Sequence, residues 1–209
     1  MRRPHQNDRE RSLEALLAEV RACTLCADAL PCPPRPILQA GAPARLLIAG
    51  QAPGRHAHAA GIPFDDVSGE RLREWIGLPR EAFYDATRVA IVPMGFCYPG
   101  TGRSGDLPPR PECAHTWRAR LLAALPRIEL TLVIGSYARA WHLPEARGTL
   151  TEVVAAWRDH LPHTVPLPHP SPRNRLWLRR NPWFEAELLP ALRQRVAEVL
   201  AGDRRGTPT

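Results

Sequence analysis

The 209-residue sequence contains no lysine: all 28 of its basic residues are arginine, set against 21 acidic ones. It also lacks any apolar run approaching the roughly 20 residues that cross a bilayer, so no spanning helix is expected. Aromatic residues are few, at 6%, but a hydrophobic share of 44% is ordinary for a folded chain with a substantial core. Met1 to Arg11 is charged and carries no apolar signal region, which makes the cytoplasm the expected compartment. Cysteine occurs five times. In a cytoplasmic protein that argues for metal binding or thiol chemistry rather than a disulfide framework.

What is present is strongly basic: the net charge is +7 and the pI near 9.9. Many of the arginines fall in the C-terminal third. The planar, multi-donor guanidinium matches phosphate, so nucleic acid is the expected partner. A genome rich in Arg, Ala and Pro codons would produce the same bias. The 24 prolines predict rigid loops rather than disorder, because apolar runs punctuate them throughout.

Hydrophobic periodicity predicts a helix over 8–22, with Leu13, Leu16, Leu17 and Val20 on one face. Buried strands are expected at 45–49, 89–92, 130–134 and 164–167. Further helices are expected over 68–76, with Ser68 as cap, and over 110–125, 135–141 and 183–200. Strands alternating with helices predict an α/β fold, a parallel sheet covered on both faces. One domain spanning 1–209 is expected, frayed over 1–7 and 203–209.

Two loops stand out. Gly50-Gln51-Ala52-Pro53-Gly54 follows the apolar run Leu46-Leu47-Ile48-Ala49. His169-Pro170-Ser171-Pro172 follows Thr164-Val165-Pro166-Leu167. Each sits at the carboxyl end of a predicted strand, the edge where parallel sheets bind ligands. A Gly-rich loop and a histidine loop meeting there make two halves of an active site. Cys23 and Cys26 form a C-x2-C pair, and Cys97 and Cys113 a second, wider pair. Four thiolates suit zinc or an iron–sulfur cluster, and spacing does not decide between them. The alternative is isolated buried thiols, which Cys97 and Cys113 would satisfy. Cys32 is the spare.

In order and spacing these motifs resemble the uracil-DNA glycosylase superfamily, most nearly its iron–sulfur family 4 and family 5 branch. The resemblance runs from Cys23 to the C-terminal helix. It rests on C-x2-C, G-x-A-P-G, Pro63-Phe64 before a Ser-Gly helix start, the second cysteine pair ending in Pro111-Glu112-Cys113, and H-P-S-P. It implies a three-layer α/β/α fold with a four-stranded parallel sheet. The implied activity is cleavage of the N-glycosidic bond of a base flipped out of DNA. It implies a monomeric, monofunctional enzyme with a structural 4Fe–4S cluster on Cys23, Cys26, Cys97 and Cys113, zinc being the alternative.

By the same resemblance His169 stabilises the departing base. Gln51 stands where family 4 carries a glutamate, and its amide orients water or base. The missing carboxylate is then expected from Asp65 or Asp66, as family 5 draws on that loop. Phe64 stacks on the base, in a pocket formed with Gly50, Ala52, Pro53, Gly54 and Met94. Pro93 stands where an asparagine reads the uracil edge. Ser171 contacts phosphate. The segment Arg173–Arg180 is expected to enter the minor groove as a loop, Arg173 and Arg175 gripping phosphates while Leu176 and Trp177 act as a wedge. The other expectation is a lesion-binding protein on the same fold that performs no chemistry.

Overall fold

The computed structural model of the chain describes residues 6–103 and 105–202. The chain enters through helix α1 (Gln6–Arg21) and, after a Pro-rich stretch, reaches strand β1 (Leu46–Ala49). Helices α2 (Arg55–Ala60), α3 (Val67–Ile76) and α4 (Arg80–Phe83) lead to β2 (Val89–Ile91). A small hairpin, β3 (Thr101–Gly102) with β4 (Gly105–Asp106), precedes α5 (Pro111–Cys113). A π-helical stretch, Ala114–Arg118, joins α5 to α6 (Ala119–Ala123). Then follow β5 (Leu130–Ile134), α7 (Gly135–His142), α8 (Leu150–Ala155), β6 (Thr164–Leu167) and α9 (Arg175–Arg180). A second π-helical stretch, Phe184–Leu188, opens into α10 (Leu189–Ala201).

The sheet runs β2-β1-β5-β6 with every pairing parallel. All of β1 is buried, as a parallel strand covered on both faces requires. Side chains alternate across it. Leu46 and Ile48 face one layer, packing with Leu72 and Trp75 of α3, Val154 of α8 and Leu192 of α10. Leu47 faces the other, with Leu13, Leu16 and Val20 of α1 and Leu121 of α6. Each fully buried Leu, Ile or Val contributes about 2 kcal/mol by leaving water. The result is the three-layer α/β/α architecture, with the expected four-stranded parallel sheet.

β1 lies between β2 and β5, so the chain leaves it first toward one edge and later toward the other. That reversal opens a crevice at the carboxyl ends of the strands. No described helix is long and apolar enough to cross a membrane.

Several local expectations are corrected. Asp66, not Ser68, caps α3, its carboxylate accepting from the Gly69 N–H at 2.8 Å. The segment after His169 is a 3-10 turn, Pro172–Asn174, followed by α9, not an extended loop. The expected long C-terminal helix begins as π-helix, with Pro near the start of α10. Of the expected frayed ends, 1–5 and 203–209 lie outside the described residues, and Gln6 and Asn7 begin α1.

Candidate functional site

A cavity of about 240 Å³ opens at the carboxyl edge of the sheet. That is below the roughly 300 Å³ at which drug-sized pockets begin and suits one small ring system. Gly50, Gln51, Ala52, Pro53 and Gly54 line it after β1, Pro93 after β2, and His169, Ser171 and Arg173 after β6. Phe64 and Asp66 close it from the loop before α3. The two loops singled out in the sequence therefore border one cavity.

Phe64 forms its flat wall under backbone strain. Its φ is +56, a left-handed conformation that costs a non-glycine residue about 1 kcal/mol or more. Two contacts hold it there. The Tyr84 hydroxyl bonds the carbonyl oxygens of Pro63 (3.0 Å) and Phe64 (3.1 Å). Gly69 lets the α3 backbone approach so closely that a Cβ there would lie 1.7 Å from the Phe64 oxygen. The ring meets Phe83 edge-on and lies 3.4 Å from where a Gly50 side chain would begin.

His169 shares the cavity with two carboxylates, Asp66 and Asp106. Burial pushes its pKa below the usual value, and the charges of Asp66 and Asp106 pull it the other way. The balance is downward, so the imidazole is neutral at neutral pH. Its loop is braced twice: Asn174 Nδ2 donates to the His169 carbonyl at 2.7 Å, and Arg71 Nη1 to the Ser171 carbonyl at 3.1 Å. Ser171 Oγ accepts from the Arg173 N–H at 3.3 Å, capping the 3-10 turn.

Asp106, on β4, belongs to none of the motifs read from the sequence. It lines the cavity. A side chain at Gly54 would begin 3.2 Å from Asp106 Oδ2 and 3.9 Å from Asp66 Oδ2. The available signal was a single acid within Gly105-Asp106-Leu107, in the loop bounded by Cys97 and Cys113. Gln51 touches that loop directly, Nε2 donating to Leu107 O at 2.9 Å and Asp106 O at 3.5 Å.

Five expected site residues do not line the cavity. Asp65 is turned outward into an ion pair with Arg80 at 2.8 Å. Met94 is packed with Ala49, Val133 and Ala138 beneath the cavity, because its N–H is tied to Gly50 O at 2.8 Å. Trp177 is anchored on the protein side: its Nε1 donates to Thr151 Oγ1 at 2.8 Å and its ring packs against Trp183 and Phe184. Leu176 is 55% exposed on α9 and does not line the cavity. Arg175 lines a separate shallow groove with Arg71, Arg179 and Arg193.

Cys23, Cys26, Cys97 and Cys113 line one small cavity beneath Gly95 and Phe96, and Cys32 is not part of it. The Phe96 N–H donates to Cys113 Sγ at 3.3 Å and Trp117 Nε1 to Cys23 Sγ at 3.4 Å. A neutral thiol is a weak acceptor, so N–H groups aimed at sulfur fit ligated, anionic sulfur. Burial pushes the Cys113 thiol up to about 12 and raises Cys97 and Cys26 as well. Among the described residues, no three Cys, His, Asp or Glu side chains close on a single ion.

Fold and cavity define a class: doubly covered parallel α/β proteins with a small cavity at the carboxyl edge of the sheet. Residues 39–193 match the family model of the uracil DNA glycosylase superfamily. The chain belongs to that superfamily, and membership points to a DNA glycosylase acting on DNA.

Proposed function

We propose that the protein is a monomeric, monofunctional glycosylase that removes uracil or another deaminated or modified base flipped from DNA. One observation carries this: His169, Asp66 and Phe64 converge on a cavity sized for a single base. Unpaired or mismatched bases are the least costly to unstack, which favours damaged nucleotides. Phe64 stacks on the base. The glycosidic C1′–N bond breaks heterolytically and the base leaves with the electron pair. Neutral His169 donates a hydrogen bond to the base oxygen where that charge develops. Water adds to C1′, and Asp66 takes its proton. With no lysine in the chain, no ε-amine competes with water as nucleophile.

Pro93 borders the cavity without a side-chain donor. The base edge is therefore read by backbone groups, and more than one base is accepted. Ser171 and Arg173 grip flanking phosphates, with Leu176 positioned to fill the vacated stack. Cys23, Cys26, Cys97 and Cys113 would hold a 4Fe–4S cluster. Bound there, the cluster supplies a structural anchor joining the end of α1 to the loop after β2 and the start of α5.

The test is single-turnover release of free base from oligonucleotides carrying uracil, hypoxanthine or xanthine. Release from at least one, lost in His169→Ala with DNA affinity kept, is the expected result. Binding without release on every substrate would make the protein a lesion binder instead. Brown protein with broad visible absorbance is expected on purification; colourless, zinc-bearing protein would put zinc in the cysteine cavity.

A further inference from the structure

We infer that Asp106 is a catalytic residue of this pocket, the negative charge that faces the sugar cation as the glycosidic bond breaks. The inference rests on the glycosylase reading and adds a residue to it.

The geometry is specific. Asp106 and Asp66 both line the cavity and approach the Gly54 backbone from two different elements, their Oδ2 atoms 3.2 and 3.9 Å from where a side chain there would begin. Their other oxygens are engaged differently. Asp66 Oδ1 is committed to the Gly69 N–H at the start of α3. Asp106 Oδ1 accepts from Thr101 Oγ1 at 3.3 Å, and Thr101 is itself bonded to the Tyr98 hydroxyl at 2.5 Å. Asp106 also contributes to the field at His169. The cavity thus sets a neutral imidazole against two carboxylates, an arrangement in which charges of opposite sign can develop on base and sugar at once.

The hairpin that carries Asp106 is built to place it. Thr101 pairs with Asp106 across β3–β4, and the Leu107 N–H donates to Gly100 O at 2.8 Å. Gln51 then ties Leu107 to the loop after β1. A glutamine in that loop brings no charge of its own. Its amide instead fixes the segment that does, so the carboxylate expected from the first motif is delivered by a different loop through Gln51.

Charge recognition can be measured without knowing the preferred base. The probes are two duplexes that differ at one position. One carries a cationic pyrrolidine in place of the deoxyribose, and the other carries a neutral tetrahydrofuran. A transition-state mimic binds more tightly than its uncharged counterpart when the site is built for the cation. Wild-type protein is expected to prefer the pyrrolidine duplex by about tenfold or more. Asp106→Asn is expected to lose that preference while keeping its affinity for the neutral duplex, and base release is expected to fall about 100-fold. Asp65→Asn, outside the cavity, is expected to behave as wild type in both assays.

An Asp106→Asn protein that keeps the cationic preference and the rate overturns the inference and leaves the proposed function intact. A wild-type protein that releases no base and shows no cationic preference overturns both. Circular dichroism of Asp106→Asn separates charge loss from unfolding, and Asp106→Glu restoring part of the preference would exclude a merely structural role.

Discussion

The Gln51 side-chain amide donates to the Leu107 carbonyl oxygen at 2.9 Å, joining the loop after β1 to the hairpin loop across the cavity mouth. Gln51→Glu removes the donor and sets a carboxylate against a carbonyl. Base release is expected to fall about tenfold, the equivalent of some 1.4 kcal/mol in the barrier. Melting should move little, because one exposed hydrogen bond contributes about 1 kcal/mol. Single-turnover rates and thermal melts of the two proteins check this. A faster Gln51→Glu enzyme would mean that charge at this position, not the tether, limits the reaction.

Gly69→Ala places a methyl group against the Phe64 carbonyl, where there is no room. Either α3 shifts or Phe64 leaves its left-handed conformation, and in both cases the flat wall of the cavity moves. A loss of about 2 kcal/mol in stability is expected, with weaker binding of base-containing DNA. Urea titrations and binding to a uracil duplex, compared with an abasic one, read the two effects separately.

Acid should destabilise the fold through two partly buried histidines. Arg118 is fully buried, donates to the carbonyl oxygens of Val92 (2.8 Å) and Pro93 (2.9 Å), and contacts His142 Nε2. Burial, then the Arg118 charge, pushes His142 down to about 3, and burial also lowers His169. Unfolded, both histidines titrate near 6.5, a typical free value. Above that pH neither state holds the proton and stability is full. As pH falls through about 6.5 the unfolded chain takes up protons that the native state refuses, so stability is lost progressively toward about pH 3. Urea midpoints are expected to fall between pH 7.5 and pH 5, and His142→Gln, which keeps an acceptor for Arg118, should flatten that slope. Equal slopes in the two proteins would contradict the assignment.

The absence of lysine makes a chemical prediction. Borohydride added during turnover should trap no covalent protein–DNA adduct, and the product strand should remain uncut until alkali is added. A trapped adduct on a denaturing gel would mean that an amine attacks C1′.

The sheet was legible because parallel strands buried on both faces leave continuous apolar runs: 130–134 and 164–167 match β5 and β6 residue for residue. The Gly50–Gly54 and His169 loops followed from their places at strand ends. The choice between Asp65 and Asp66 did not, since neighbouring residues of an extended segment point apart and only the position of Arg80 separates them. Composition does not orient Trp177, because an aromatic among arginines reads the same whether it faces DNA or, as here, Phe184. The β3–β4 hairpin pairs two residues per strand, too few for any periodicity, so Asp106 was hidden with it.

Cys97 and Cys113 bound the segment that carries Asp106, and both line the same small cavity. Their segment is thus a closed loop rather than a free excursion of the chain. Holding the ends of a loop together removes conformational entropy in advance, and the remaining order is then easier to reach. A cluster held as proposed by Cys97 and Cys113 would fasten both ends of this segment and so restrict the positions open to Asp106. Stripping such a cluster would then slow base release without touching the pocket.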